Sequence, residues 1–175
     1  MAARTKRNIE VRFFLSPAAA RRLLRSWHEE ERKVEPHAYV DYYFTKGAST
    51  AKVRRWYSHR SPRIEIIMFS RKGKIKTERR VGAKSVQGAI QELEARGYDA
   101  SITVDKKNGW RATSGGPRTS CELVTGLGWT GEIEIPPKDR KKTNELIAGL
   151  KAIGATGFTF KPMLQIMAER HKSKR

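Results

Sequence analysis

Asn8-Ile9-Glu10-Val11-Arg12-Phe13-Phe14-Leu15 alternates polar with apolar side chains. In an extended chain Asn8, Glu10 and Arg12 fall on one face and Ile9, Val11, Phe13 and Leu15 on the other. The pattern predicts a strand with an ionic face of mixed sign. The same kind of face recurs at Lys52 and Arg54, at Lys76, Glu78 and Arg80, and at Glu132 and Glu134. A solvated antiparallel sheet would alternate in the same way. Repetition over several strands favours a barrel whose apolar positions pack outward against helices, leaving the ionic positions in the lumen. Such a lumen is a binding site. Carboxylates at i and i+2 suit hard cations such as Mg²⁺ or Mn²⁺, and clustered Lys and Arg suit phosphate oxygens.

Outward from this strand, Ser16-Pro17 reads as a helix cap with proline at the first helical position, and Leu23, Leu24 and Trp27 give a helical stripe to about Trp27. The charged run His28 to Lys33 reads as a solvated helix end. Strands follow at Ala38 to Phe44, Ala51 to Tyr57, Arg63 to Phe69 and Lys74 to Val81, with turns at Gly47, Ser61-Pro62 and Gly73. Four strands in succession predict an antiparallel meander. Ser85 caps a helix that ends at Gly97. Short strands are expected at Ser101 to Val104, Trp110 to Thr113, Ser120 to Val124 and Gly131 to Ile135, then a helix from about Asp139 to Ile153 and a shorter one after Pro162.

The 175 residues are enough for one domain, expected over 8–170, with basic tails at 1–7 and 171–175. Lys and Arg number 37 against 18 Asp and Glu, a formal net charge of +19, which calls for a polyanionic partner. The single cysteine, Cys121, excludes an internal disulfide framework and suits a reducing, cytoplasmic location. No apolar run has the length of a transmembrane helix, no signal-peptide pattern opens the chain, and no membrane partner is expected. Monomer and homodimer are both compatible with the sequence.

Several motifs together resemble the CYTH superfamily, the triphosphate tunnel metalloenzymes, which include class IV adenylyl cyclases and thiamine triphosphatases. Asn8-Ile9-Glu10-Val11-Arg12 resembles the family's Glu-x-Glu-x-Lys strand, with Asn for its first Glu and Arg for its Lys. Val40 to Phe44 is similar to the second strand, Ala51-Lys52-Val53-Arg54 to Leu-Arg-x-Arg, and Ser70-Arg71-Lys72-Gly73 to Thr-x-Lys-Gly. Lys76 to Arg80 stands for Arg-x-Glu-x-Glu, with Arg80 in place of the last acid. The most specific match is Glu122-Leu-Val-Thr-Gly-Leu-Gly-Trp-Thr-Gly-Glu-Ile-Glu134, which resembles Asp-x-Val-x-Gly-Leu-Gly-x-Phe-x-Glu-Ile-Glu.

The resemblance implies an α+β fold, an eight-stranded antiparallel tunnel with helices outside. It implies Glu10, Glu132 and Glu134 as catalytic residues and, with Glu122, as ligands for one or two Mg²⁺ or Mn²⁺ ions. Arg12, Lys52, Arg54, Lys72, Lys76, Lys107 and Arg118 would grip phosphates, the register at Lys106 and Lys107 being open. The implied function is metal-dependent hydrolysis of a triphosphate (inorganic triphosphate, thiamine triphosphate or a nucleoside triphosphate), with ATP cyclisation in the same class. Asn8 and Arg80 support an alternative, a tunnel that holds polyphosphate, nucleotide or an RNA end without turnover. Nucleic-acid binding through the basic exterior and tails is a third expectation.

Other features read more plainly. His28, His37, His59 and His171 have no ligand spacing and are expected on the surface. Cys121 reads as a buried small apolar residue. Ser114-Gly-Gly-Pro-Arg118 lacks the ending of a phosphate loop and reads as a mobile hairpin turn. Trp56, Tyr57, His59 and Arg60 could stack on bases, while Trp56 could equally pack under outer helices.

Overall fold

A computed structural model describes residues 4–57 and 63–172. The chain runs β1 (Arg4–Leu15), α1 (Pro17–Glu29), β2 (Val34–Lys46), β3 (Ser49–Trp56), β4 (Ile64–Lys72), β5 (Ile75–Ala83), α2 (Val86–Ala95), β6 (Asp99–Ala112), β7 (Arg118–Val124) and β8 (Gly128–Ile135). A 3-10 turn (Pro137–Lys142), α3 (Thr143–Ala152), β9 (Thr156–Thr159) and α4 (Met163–Lys172) complete it. The Ser61-Pro62 turn, His59, Arg60 and residues 173–175 lie outside the described residues.

Strands β2 to β5 form the expected meander, each paired antiparallel with the next. β2 then pairs with β6, and β6, β7 and β8 follow in order to β1. β1 closes the ring by changing partner along its length. Arg4 to Ile9 pair with β5, and Ile9 to Leu15 with β8. The result is a closed eight-stranded antiparallel barrel. Arg4 to Arg7, expected as tail, are therefore strand.

Three further differences have local causes. The strands expected at Ser101 to Val104 and Trp110 to Thr113 are one continuous strand, β6, which ends at Ala112 and carries an extra residue. Tyr39 faces Lys106 and His37 faces Gly109, so β6 takes three steps where β2 takes two. The long final helix is split, with 3-10 geometry over Pro137–Lys142, where three of the last residues are basic and no side-chain cap is present. β9 was not anticipated because Thr-Gly-Phe-Thr carries no apolar alternation; it pairs with β1 at Arg12 and Phe14, beyond the point where β5 leaves it.

The apolar faces of the strands point outward. Ile9, Val11, Phe13, Ile133 and Ile135 pack against Leu23 and Trp27 of α1 and Leu150 of α3. Val53 and Ile66 pack against Ala89 and Leu93 of α2. α4 instead packs at one end of the barrel, where Met163, Ile166 and Met167 meet Tyr43, Val104 and Val124 on the inward side of their strands. α1 begins at the expected cap, with the Ser16 hydroxyl accepting from the Ala19 amide at 3.1 Å. Gly97, at φ +78°, ends α2 as its sequence position suggests.

Gly131 is required by a close approach. A Cβ there would lie 2.1 Å from the ring of Phe13, which is fully buried and stacks on Phe158 at 5.7 Å. Gly131→Ala is expected to cost about 1–3 kcal/mol through overpacking. Urea unfolding checks it, and an unchanged midpoint would show that Phe13 can move.

Candidate active site

Alternation turns the ionic positions of all eight strands into the lumen. The cavity is about 170 Å³ and is lined by nine basic and five acidic side chains. That volume is an order of magnitude above the roughly 10–15 Å³ one ordered water needs, so it is larger than a packing defect. The basic residues are Arg12, Lys52, Arg54, Arg71, Lys76, Arg80, Lys106, Arg111 and Arg118; the acidic ones are Glu10, Glu78, Glu122, Glu132 and Glu134. Pro162 and Met163, at the start of α4, border one end.

Two residues expected to grip phosphate lie outside this cavity. On β4 the inward positions are the odd ones, Glu65, Ile67 and Phe69, so Arg71 lines the lumen and Lys72 is exposed at the hairpin with Gly73. The extra residue of β6 turns Lys106 inward and leaves Lys107 exposed on the outer surface, 3.9 Å from Asp105. Lys106 is 4% exposed.

The inward charges are arranged in groups. Asp41 of β2, fully buried, accepts from Lys52 Nζ at 2.7 Å and from Arg54 Nε and a terminal nitrogen at 2.6 and 2.8 Å. Burial would raise its pKa, but Arg54 and Lys52 outweigh this and hold it at about 2. Arg54 also lies 3.6 Å over the Tyr39 ring. Its stiff fork is thus fixed from two sides.

Glu122 has a comparable shell. Its Oε1 accepts from His37 Nε2 at 2.8 Å and the Tyr39 hydroxyl at 2.7 Å, and Oε2 pairs with Lys106. Burial opposes its charge, but Lys106 and His37 hold its pKa well below the carboxylate range. Glu122 was expected as a metal ligand; its oxygens are occupied by these three donors, and it stands apart from the acidic cluster described below. His37, expected on the surface, is 6% exposed. Gly109 makes its room, since a Cβ there would sit 2.6 Å from His37 Nε2. Burial lowers the His37 pKa, partly offset by Glu122.

Among the described residues, Glu10, Glu132 and Glu134 can place one carboxylate oxygen each within 4.8 Å of one another. Strand pairing sets this up: Glu10 faces Glu134 and Arg12 faces Glu132 across β1 and β8. Glu10 pairs through Oε2 with Lys76 and through Oε1 with Arg12, and Arg71 lies 3.5 Å from Oε1. Arg12 reaches Glu132 at 2.8 Å and donates to the Lys161 carbonyl at 2.8 Å. Burial raises the Glu132 pKa, but Arg12, Lys76 and Lys106 bring it down to about 2. Glu134 pairs with Lys6 and lies 3.7 Å from Arg118. Three clustered carboxylate oxygens are donors of the kind a hard divalent cation takes.

Sequence reasoning missed Asp41, His37, Tyr39, Arg71 and Arg111, and left the register at Lys106 and Lys107 open. Parity with Lys52 and Arg54 could have revealed Asp41, Tyr39 and Tyr43 as inward, but the bulge in β6 hid Lys106. Trp56 packs neither under outer helices nor free for stacking. It is 6% exposed, 4.8 Å from Tyr39, and donates Nε1 to Glu65 at 3.0 Å. The Ser114 to Arg118 loop is a hairpin turn pinned by Arg32, which donates to the Ser114 and Pro117 carbonyls at 2.8 and 2.6 Å. Cys121 is fully buried, with burial pushing its thiol up to about 12.

Lys52 gives a pH dependence. Burial, then Arg54, lower its pKa to about 8 against the pull of Asp41. Above that pH the lumen loses one positive charge. An anion that needs the charge must take up a proton with it, so affinity falls by up to about tenfold per pH unit. Inorganic triphosphate is expected to bind more weakly as pH rises from about 7 to about 9. Lys52→Met should flatten that fall; an equal fall in the variant would place the titration elsewhere.

No protein-family model matches the chain, and no curated protein matches it by sequence. Solved structures do. A protein of Pyrococcus horikoshii OT3 superposes with a TM-score of 0.71 at 17% identity, over 93% of this chain and 99% of that one. A candidate adenylate cyclase of Vibrio parahaemolyticus gives 0.67 at 11% identity, over 92% and 97%. A candidate adenylyl cyclase of Hippeastrum, described as having a dominant triphosphatase activity, gives 0.57 at 13%, over 95% of each chain. At these identities the likeness carries the fold alone, and the fold it shares with this chain is the closed eight-stranded antiparallel barrel.

Proposed function

We propose that the protein is a metal-dependent phosphohydrolase acting on a triphosphate compound held in the barrel lumen. The observation that carries this reading is the barrel cavity with nine basic side chains beside a three-carboxylate cluster. The triphosphatase activity described for the Hippeastrum protein of like fold supports it.

The residues divide the work. Arg54, Arg80, Lys106, Arg111 and Arg118 meet the phosphate oxygens and neutralise charge that spreads over them as the terminal P–O bond breaks. Asp41 and Glu122 keep Arg54, Lys52 and Lys106 oriented before the ligand arrives, so less ordering is needed on binding. Glu10, Glu132 and Glu134 would hold one Mg²⁺ or Mn²⁺. When bound, such an ion supplies Lewis-acid polarisation of a phosphoryl oxygen.

A second reading, binding without turnover, draws on Asn8, a neutral buried side chain two positions from Glu10, and on Lys76 and Arg12 closing over Glu10. Phosphate release from inorganic triphosphate, ATP and thiamine triphosphate, with Mg²⁺ or Mn²⁺, separates the two. Release from at least one is expected. Tight binding with no release would favour the second reading, and cyclic AMP from ATP would mark a cyclase.

A further inference from the structure

The lumen has a neighbour. Asn8 is 1% exposed, and neither its amide nitrogen nor its oxygen has a hydrogen-bond partner. Nε of Arg118 is likewise buried and unpartnered. Buried polar atoms are rarely left so. Both residues line a second cavity of about 170 Å³, together with Lys6, Arg7 and Glu134. Arg118 and Glu134 line the tunnel as well, so the two cavities adjoin at that pair.

We propose that this second chamber binds orthophosphate. Three cationic groups face one carboxylate, which favours an anion over a cation. Asn8 Nδ2 and Arg118 Nε offer two unused donors to anionic oxygens. Asn8 Oδ1 needs a donor in return, and the O–H of hydrogen phosphate supplies one where a halide cannot. The site's source of phosphate rests on the hydrolase reading: the leaving orthophosphate would pass Arg118 into this chamber, away from the carboxylate cluster. Its capacity to bind phosphate does not rest on turnover.

The test fills the tunnel with imidotriphosphate, a non-hydrolysable analogue, and then adds inorganic phosphate in a calorimeter. One further equivalent is expected for the wild type. Asn8→Leu, similar in volume and without the amide, should weaken that step at least tenfold. Asn8→Asp, whose charge repels the dianion, is the second variant should the first not fold. No further equivalent in the wild type, or equal binding by the folded variants, overturns the proposal. If the analogue itself does not bind, the tunnel reading fails, and titration of phosphate alone still decides this one by its dependence on Asn8.

Discussion

Asp41→Ala is expected to destabilise the protein by about 3–5 kcal/mol, the usual loss when one partner of a buried ionic group is removed. Asp41 is fully buried and is the shared acceptor for Lys52 and Arg54, which are themselves 7% and 5% exposed. Without it, two cations remain in a barrel wall without the carboxylate that pairs with both. Arg54 is also held over Tyr39 and Trp56 at 3.6 and 5.1 Å, so it cannot swing to water without opening that stack. Urea unfolding at neutral pH measures the loss, and one below about 1 kcal/mol would mean that both heads reach solvent. Inorganic triphosphate should restore more stability to the variant than to the wild type, because its oxygens replace the missing acceptor.

Acid should reproduce part of this effect. The folded pKa of Asp41, about 2, lies below its unfolded value. The stability it contributes is therefore present above the ordinary carboxylate range and is lost as pH falls toward 2. Glu78 and Glu122, also held low against burial by neighbouring cations, add to the same loss.

Glu132→Gln is the second large effect, here on activity. Glu132 is the link between Arg12 and the carboxylate cluster, accepting from Arg12 at 2.8 Å while sharing a 4.8 Å space with Glu10 and Glu134. Glutamine keeps the shape and removes the charge. Lewis-acid stabilisation of a phosphoryl oxygen is worth several kcal/mol, so losing it lowers the rate by about 100-fold or more. Arg12 keeps an oxygen acceptor, so folding should change little. The expected result is a loss of kcat for metal-dependent phosphate release with thermal stability kept. Unchanged release would remove Glu132 from the account.

The alternation at Asn8 to Leu15, and the ionic positions repeated on other strands, made the barrel and its inward charges legible. Period two determines which face a residue joins, and closure determines which face is the lumen. The same rule failed where a single extra residue intervened. The bulge between Lys106 and Asn108 moved the inward lysine by one position, and nothing local in Asp105 to Gly109 marks it. Lys72 was carried inward by the motif resemblance although strand parity places it outside. His37 and Glu122 show a different limit, since a buried hydrogen bond 85 residues apart in sequence depends on β2 and β7 both flanking β6. β9 escaped because four residues of mixed character carry no period.

The most direct test of the tunnel as the phosphate site is calorimetric binding of inorganic triphosphate to variants that remove one cation inside or outside the barrel. Arg111→Ala and Arg71→Ala each remove an inward charge, and Lys72→Ala and Lys107→Ala an exposed one. A hydrogen bond to a charged group is worth about 1.5–3 kcal/mol, so each inner substitution should weaken binding by roughly tenfold or more, and each outer one by less than about twofold. Equal weakening by the outer lysines, or none by the inner arginines, would contradict a lumen site and place the anion on the basic exterior.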